Sequence, residues 1–236
     1  MPRYDYILLD ADMTLFDFER SEEEALKEVL TARGYPTDSE TLGLYLRINS
    51  ALWDANARGK IDLDFLTVER FAAFMRVKGG DHDPLQFNRD YLEALGRHGY
   101  LLPGAEEFCR TLAEAGCTLA IVTNGLPAAQ WGRFNASPLK GLIPHMFVSM
   151  ELGCQKPQRE YFDKVCAALD IDHRRRAIVM GDGLKTDIRG GLDAGIDTLW
   201  FNPKRLPPDP LIPPTYTAGT YGEALEILLA EEPNHL

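Results

Sequence analysis

Apolar and polar residues follow two rhythms along this chain, and the change of rhythm divides it. A short apolar run at 4–9 (YDYILL) reads as a buried strand. From about 19 to 99 apolar residues then recur at three-to-four spacing. Ala25, Leu26, Val29 and Leu30 make one stripe, and Phe65, Val68, Phe71, Phe74 and Met75 make another, as amphipathic helices require. No strand-like run interrupts that stretch. After Pro103-Gly104, short apolar runs alternate with helical patterns. TLAIV (118–122), AIVM (177–180) and DTLWF (197–201) read as strands, with helices near 104–115, 127–135, 158–169, 186–194 and 221–230. The proline cluster at 203–214 reads as a surface loop, since proline extends neither a helix nor a central strand.

Strands alternating with helices build βαβ units around a parallel sheet. The prediction is therefore an α/β fold in two domains. An all-helical domain at 18–99 is inserted into a sheet domain made of 1–17 and 100–236.

Three of the apolar runs end in polar clusters. ILL is followed by Asp10-Ala11-Asp12-Met13-Thr14, AIV by Thr123-Asn124-Gly125, and AIVM by Gly181-Asp182-Gly183. Ligands of open parallel sheets bind outside the carboxyl ends of the strands, so the three clusters are expected to converge. Lys156-Pro157 adds a cation on a loop, with Pro157 suited to the first turn of the helix that follows. Each element alone has an ordinary reading. The D-x-D pair serves as a cap or turn, Asn-Gly favours turns, Lys156 is a solvated charge, and Asp182 and Asp187 cap a helix. Their conjunction at successive strand ends points instead to one site.

Composition narrows the partners. The chain has 236 residues, with 25 Lys and Arg against 36 Asp and Glu, a formal charge of −11. An acidic surface repels phosphate backbones, so no nucleic-acid polymer is expected. No apolar run approaches the roughly 20 residues of a membrane helix, so no membrane association is predicted. The N-terminus lacks the pattern of a secretion signal, which predicts a cytoplasmic protein. Cys109, Cys117, Cys154 and Cys166 show no C-x-x-C spacing and read as reduced, mostly buried thiols. The five histidines, His82, His98, His145, His173 and His235, are scattered.

The residue types suggest a chemistry. Asp10 and Asp12 are two apart, so a strand geometry turns them to the same side, and with Asp182 they make a cluster of like charge that needs a cation. Hard oxygen ligands without His or Cys favour Mg²⁺ over zinc. With Thr, Asn and Lys as donors, such a site suits a phosphoryl group. One carboxylate can attack phosphorus while its neighbour shuttles the proton. The segment GDGLKTDIRGG is neither a Walker loop nor a dinucleotide fingerprint. Leu184 separates Gly183 from Lys185-Thr186, and Thr186 stands where a fingerprint starting at Gly181 needs glycine.

These residues resemble the haloacid dehalogenase superfamily of phosphohydrolases, whose four motifs are matched in order. They are Asp10-x-Asp12-x-Thr14, Thr123-Asn124, Lys156-Pro157, and Gly181-Asp182 followed by Asp187. The resemblance implies a Rossmann-like core with a helical cap inserted after the first motif. It implies Asp10 as the nucleophile and Asp12 as the general acid and base. Thr123 and the backbone around Asn124 would hold the phosphoryl oxygens, and Lys156 would offset charge between nucleophile and phosphate. Asp10, the backbone carbonyl of Asp12 and Asp182 would ligate Mg²⁺, with Asp187 either a further ligand, directly or through water, or an orienter of Lys156. Asp12 argues for phosphatase over dehalogenase, because halide needs no proton.

More finely, DADMTLFDF (10–18), ALWDANARGKID (51–62), CQKPQREYFDKV (154–165) and LWFN (199–202) resemble the 5′-nucleotidase branch that includes pyrimidine nucleotidases. Met13 and Gly183-Leu184-Lys185 depart from that branch. In the cap, Trp53 and Tyr45 could stack on a base or fill the cap's own core, and Asn49, Asn56 and Arg58 could meet a sugar or base edge. The expected substrate is a small phosphorylated metabolite, a nucleoside 5′-monophosphate first. Phosphoglycolate or a sugar phosphate, a phosphomutase reaction, and a non-catalytic binding module are the alternatives, and monomer and homodimer both stay open.

Overall fold

The computed structural model of the chain describes residues 2–230; Met1 and 231–236, with His235 among them, lie outside the described residues. The chain forms two compact units, Met1–Phe18 with Gly99–Leu236, and Glu19–His98.

The first unit is built on a six-stranded parallel sheet, a Rossmann-like arrangement. Its strands are β1 (Tyr6–Leu9), β2 (Thr118–Thr123), β3 (His145–Val148), β4 (Ala177–Gly181), β5 (Asp197–Phe201) and β6 (Tyr216–Ala218). They lie in the order β3-β2-β1-β4-β5-β6, which places β1 between β2 and β4. Leu9 is in register with both Ile121 and Met180, so the three polar clusters begin at one level of the sheet. The order reverses direction beside β1, at the switch point where doubly wound sheets bind ligands.

Near-continuous apolar runs form the central strands because both faces of the sheet are covered. Ile7, Leu9, Leu119, Ile121, Ile178 and Met180 face one core, with Phe108 and Leu112 of α5 (Ala105–Glu114) and Leu228 of α10 (Tyr221–Leu228). Leu8, Ala120, Val122 and Val179 face the other, with Tyr161, Phe162 and Val165 of α8 (Arg159–Ala168), which follows the short α7 (Ser149–Leu152). Alternation of period two thus sorts each strand between two cores. β3 and β6 form the two edges and are the strands that the apolar pattern does not predict. The four cysteines are free and buried.

The second unit consists of helices, with no strand among its described residues. It holds α2 (Ser39–Ala57), α3 (Leu63–Lys78), α4 (Pro84–Arg97) and nearly all of α1 (Phe18–Ala32). Asp38, Asp62 and Asp83 cap α2, α3 and α4, accepting from the backbone N–H of Thr41, Phe65 and Leu85. Its core is aromatic: Phe71 stacks on Phe87 with centroids 4.1 Å apart, beside Tyr45 and Tyr91. Tyr45 is therefore a core residue, as its plainer reading holds. Asn49 donates to Glu22, Asn56 to the Ile61 carbonyl, and Arg58 pairs with Asp54.

Candidate active site

Asp10 follows β1 directly, and its N–H donates to the Met180 carbonyl at 2.8 Å. Strand β1 thereby extends its pairing with β4 by one bond and points the carboxyl into the end of the sheet, 7% exposed. Lys156 reaches the same place from the loop before α8. Its Nζ donates to Asp10 Oδ1 at 2.6 Å, Asp187 Oδ1 at 2.6 Å and the Val122 carbonyl at 2.8 Å. Three partners use all three donors of an ammonium.

Asn124 explains how that loop is held. Its Nδ2 donates to the Lys156 carbonyl and its Oδ1 accepts from the Lys156 N–H, both at 2.9 Å. The Asn124 side chain is thus committed to the lysine loop, and only its backbone remains for a substrate. Thr123 Oγ1 accepts from the Gly125 N–H at 3.0 Å, which leaves its own hydroxyl proton to give. The Lys156–Pro157 peptide is cis. Pro157 precedes the Gln158 cap of α8, so it stands before the first turn and not within it.

A π-helical turn, Leu184–Ile188, connects β4 to α9 (Arg189–Ala194) and carries Asp187 inward. Asp187 Oδ2 accepts from the Gly183 N–H at 3.0 Å. Gly181 makes room for it, because a Cβ there would overlap the Asp187 carboxyl. Thr14 ties two of the clusters together: its Oγ1 donates to Asp10 Oδ2 at 3.3 Å and accepts from the Asp182 N–H at 3.1 Å. Met13, just before it, is held at φ 59°, a left-handed conformation that costs a non-glycine residue energy.

Asp10, Asp182 and Asp187 each offer an oxygen, all within 4.8 Å of one another. Burial drives the Asp10 carboxyl well above its usual range, and Asp187 adds to the rise while Lys156 opposes it. Asp182 stands at the open side, yet the protein atoms crowded around it and the charge of Asp187 raise it to about 6. Burial works against the Lys156 ammonium, but Asp10 and Asp187 outweigh it and hold its pKa above the ordinary lysine value. Three carboxylates and one ammonium leave two negative charges in excess. A divalent cation with hard oxygen preference fits that remainder and that donor set.

Asp12 faces the same end of the sheet but stays outside this triad. Its carboxylate is taken up by α6 (Pro127–Ala136), on which Gln130 donates to Oδ2 at 2.9 Å and Arg133 lies 2.6 Å from Oδ1. The motif pattern points to neither residue. Polar positions three apart on a helix are ordinary surface until the fold shows Arg133 to be buried.

A protein-family model described as haloacid dehalogenase-like hydrolase matches residues 4–195. The chain is 34% identical to the HAD-hydrolase YfnB of Bacillus subtilis, over 98% of each. It is 32% identical to the pyrimidine 5′-nucleotidase PynA of Streptococcus pneumoniae, over 95% of each. It is 27% identical to the pyrimidine 5′-nucleotidase YjjG of Escherichia coli, over 96% of this chain and 98% of that one. A crystal structure of YfnB bound to magnesium superposes with a TM-score of 0.89, covering 96% of this chain and 99% of that one.

Proposed function

This chain belongs to the haloacid dehalogenase-like hydrolases, and from that premise we propose that it is a Mg²⁺-dependent phosphomonoesterase working through an aspartyl-phosphate on Asp10. The observation that carries the reading is the cluster of Asp10, Asp182 and Asp187, of which Asp10 and Asp187 meet the Lys156 ammonium. That charge balance calls for a divalent cation, and a cation held there would meet the oxygens of a phosphoryl group.

Asp10, Asp182 and Asp187 are the residues to hold Mg²⁺, with the Asp12 carbonyl as a further ligand. Bound there, the ion neutralises charge on the phosphoryl oxygens. A carboxylate oxygen of Asp10 attacks phosphorus as the ester P–O bond breaks, and Asp12 gives a proton to the departing alcohol. Asp12 then takes a proton from the water that attacks the acyl-phosphate. The bond between Asp10 and phosphorus breaks, releasing phosphate and restoring both carboxyl groups. Lys156 holds Asp10 in place, and Thr123 with the backbone N–H of Asn124 receives the phosphoryl oxygens.

For the substrate we favour a nucleoside 5′-monophosphate carrying a pyrimidine. Two relatives aligned over 95% or more of this chain bear the name pyrimidine 5′-nucleotidase, and this supports the choice. A phosphate-release panel tests it, with UMP, dUMP, dTMP, purine monophosphates, phosphoglycolate and hexose phosphates, each with and without Mg²⁺. Preference for the pyrimidine nucleotides is expected. Activity spread over sugar phosphates would keep the chemistry and discard the substrate.

A further inference from the structure

Both oxygens of Asp12 are held from one helix, by residues at i and i+3. Arg133 is an unusual choice for packing. It is 0% exposed, its guanidinium lies over the rings of Phe16 and Phe18 at 5.2 and 5.3 Å, and among the described residues none of its nitrogens finds a well-aligned hydrogen-bond partner. An apolar side chain of that size would fill the same space without the cost of burying a charge. The charge is kept, then, for Asp12 Oδ1, 2.6 Å away.

Two glycines make room for the arrangement. A Cβ at Gly125 would overlap the Gln130 side chain, and one at Gly99 would stand 2.6 Å from the Arg133 carbonyl. Neither glycine has a left-handed φ, so space and not backbone freedom accounts for them.

The two Asp12 oxygens are not equivalent. Oδ1 is sealed from solvent against Arg133, whereas the side chain as a whole is 30% exposed. Its open polar edge is therefore Oδ2, the oxygen that Gln130 steadies with one bond and that has a lone pair to spare.

We infer that Arg133 and Gln130 are positioning residues that lock the Asp12 carboxyl so that Oδ2 carries the proton in both half-reactions. The inference rests on Asp12 being the acid and base, as proposed above. In the first half Oδ2 gives its proton to the ester oxygen as the P–O bond breaks. In the second it takes one from the attacking water. A carboxyl fixed at both oxygens needs no rotamer search before either transfer.

The test compares Arg133→Met, Arg133→Lys, Gln130→Leu and Asp12→Asn with the unaltered enzyme in Mg²⁺. Two substrates are used: the best alkyl phosphate of the panel and p-nitrophenyl phosphate, whose leaving group departs without a proton. For the alkyl phosphate, kcat is expected to fall about 100-fold in Arg133→Met and about 10-fold in Gln130→Leu, with KM nearly unchanged. Arg133→Lys should recover a large part of the loss. The first equivalent of p-nitrophenol should appear at close to the unaltered rate in Arg133→Met, Arg133→Lys and Gln130→Leu. Later turnovers should slow by the same factors as the alkyl phosphate, because hydrolysis of the acyl-phosphate still needs a positioned Asp12. Should Arg133→Met fold poorly, Gln130→Leu decides by the same comparison.

Equal slowing of the first aryl turnover would mean general damage to the site and would overturn the inference. Unchanged kcat in Arg133→Met and Gln130→Leu, with Asp12→Asn inactive on the alkyl phosphate, would overturn the inference alone. An Asp12→Asn enzyme fully active on the alkyl phosphate would remove the acid–base reading itself.

Discussion

Lys156 Nζ stands 2.6 Å from Asp10 Oδ1, although 146 positions separate the two residues. The contact joins the end of a central strand to a loop that β2 holds through Asn124. It lies out of water, where removing one partner strands the others. Lys156→Met leaves Asp10 and Asp187 facing each other with nothing between them. A loss of about 3–5 kcal/mol in stability is expected, the usual consequence of breaking a buried pair on one side. Denaturant unfolding in metal-free buffer checks it, and an unchanged midpoint would refute it.

The same excess of negative charge predicts a response to metal. Mg²⁺ at about 100 times its Kd should stabilise the fold by roughly 2.7 kcal/mol, as linkage requires when only the native state binds. Asp182→Asn removes one of three charges and should shrink that gain. Melting curves with EDTA and with increasing Mg²⁺ read both effects. A midpoint indifferent to Mg²⁺ in the unaltered protein would speak against a metal at the triad.

Asn124 offers a subtler probe. Asn124→Ala removes both hydrogen bonds to the Lys156 backbone without touching any proposed reacting atom. A loss of about 1–3 kcal/mol and a fall in kcat of about 10-fold are expected, since a loosened loop misplaces the ammonium. Substrate kinetics with a parallel melt would show it. Unimpaired kcat would mean that the loop holds itself.

Much of this architecture is legible in the chain, and the limits have physical causes. The central strands show as apolar runs because each is buried on both faces. Their ends show because Asp10, Thr123 and Asp182 break those runs with polar residues. β3 and β6 escape notice as edge strands: His145 at the start of β3 is exposed, and β6 has Ala218 as its one buried residue. The approach of Lys156 to Asp10 and Asp187 follows the motif order. The grip of Gln130 and Arg133 on Asp12 does not. It depends on the direction in which α6 leaves β2, which no local pattern encodes.

Cysteine reactivity gives a pH-dependent prediction. Burial raises the Cys109 thiol to about 12. The thiolate is the species that is alkylated, and a raised pKa shrinks its share at every pH below that value. Native Cys109 should therefore resist iodoacetamide at pH 8, and its rate should still be climbing at pH 10. Unfolding should expose it at once. Mass mapping of the modified site decides, and rapid native labelling of Cys109 at pH 8 would contradict its burial.

Replacing the proposed nucleophile tests the account most directly. Phosphate release is measured for the unaltered protein and for Asp10→Asn, with Mg²⁺ and with EDTA, alongside circular dichroism of both. The account predicts turnover only in the unaltered protein with Mg²⁺, and a folded, inactive Asp10→Asn. Phosphate release by Asp10→Asn at a rate near that of the unaltered protein, or turnover undiminished by EDTA, would contradict it.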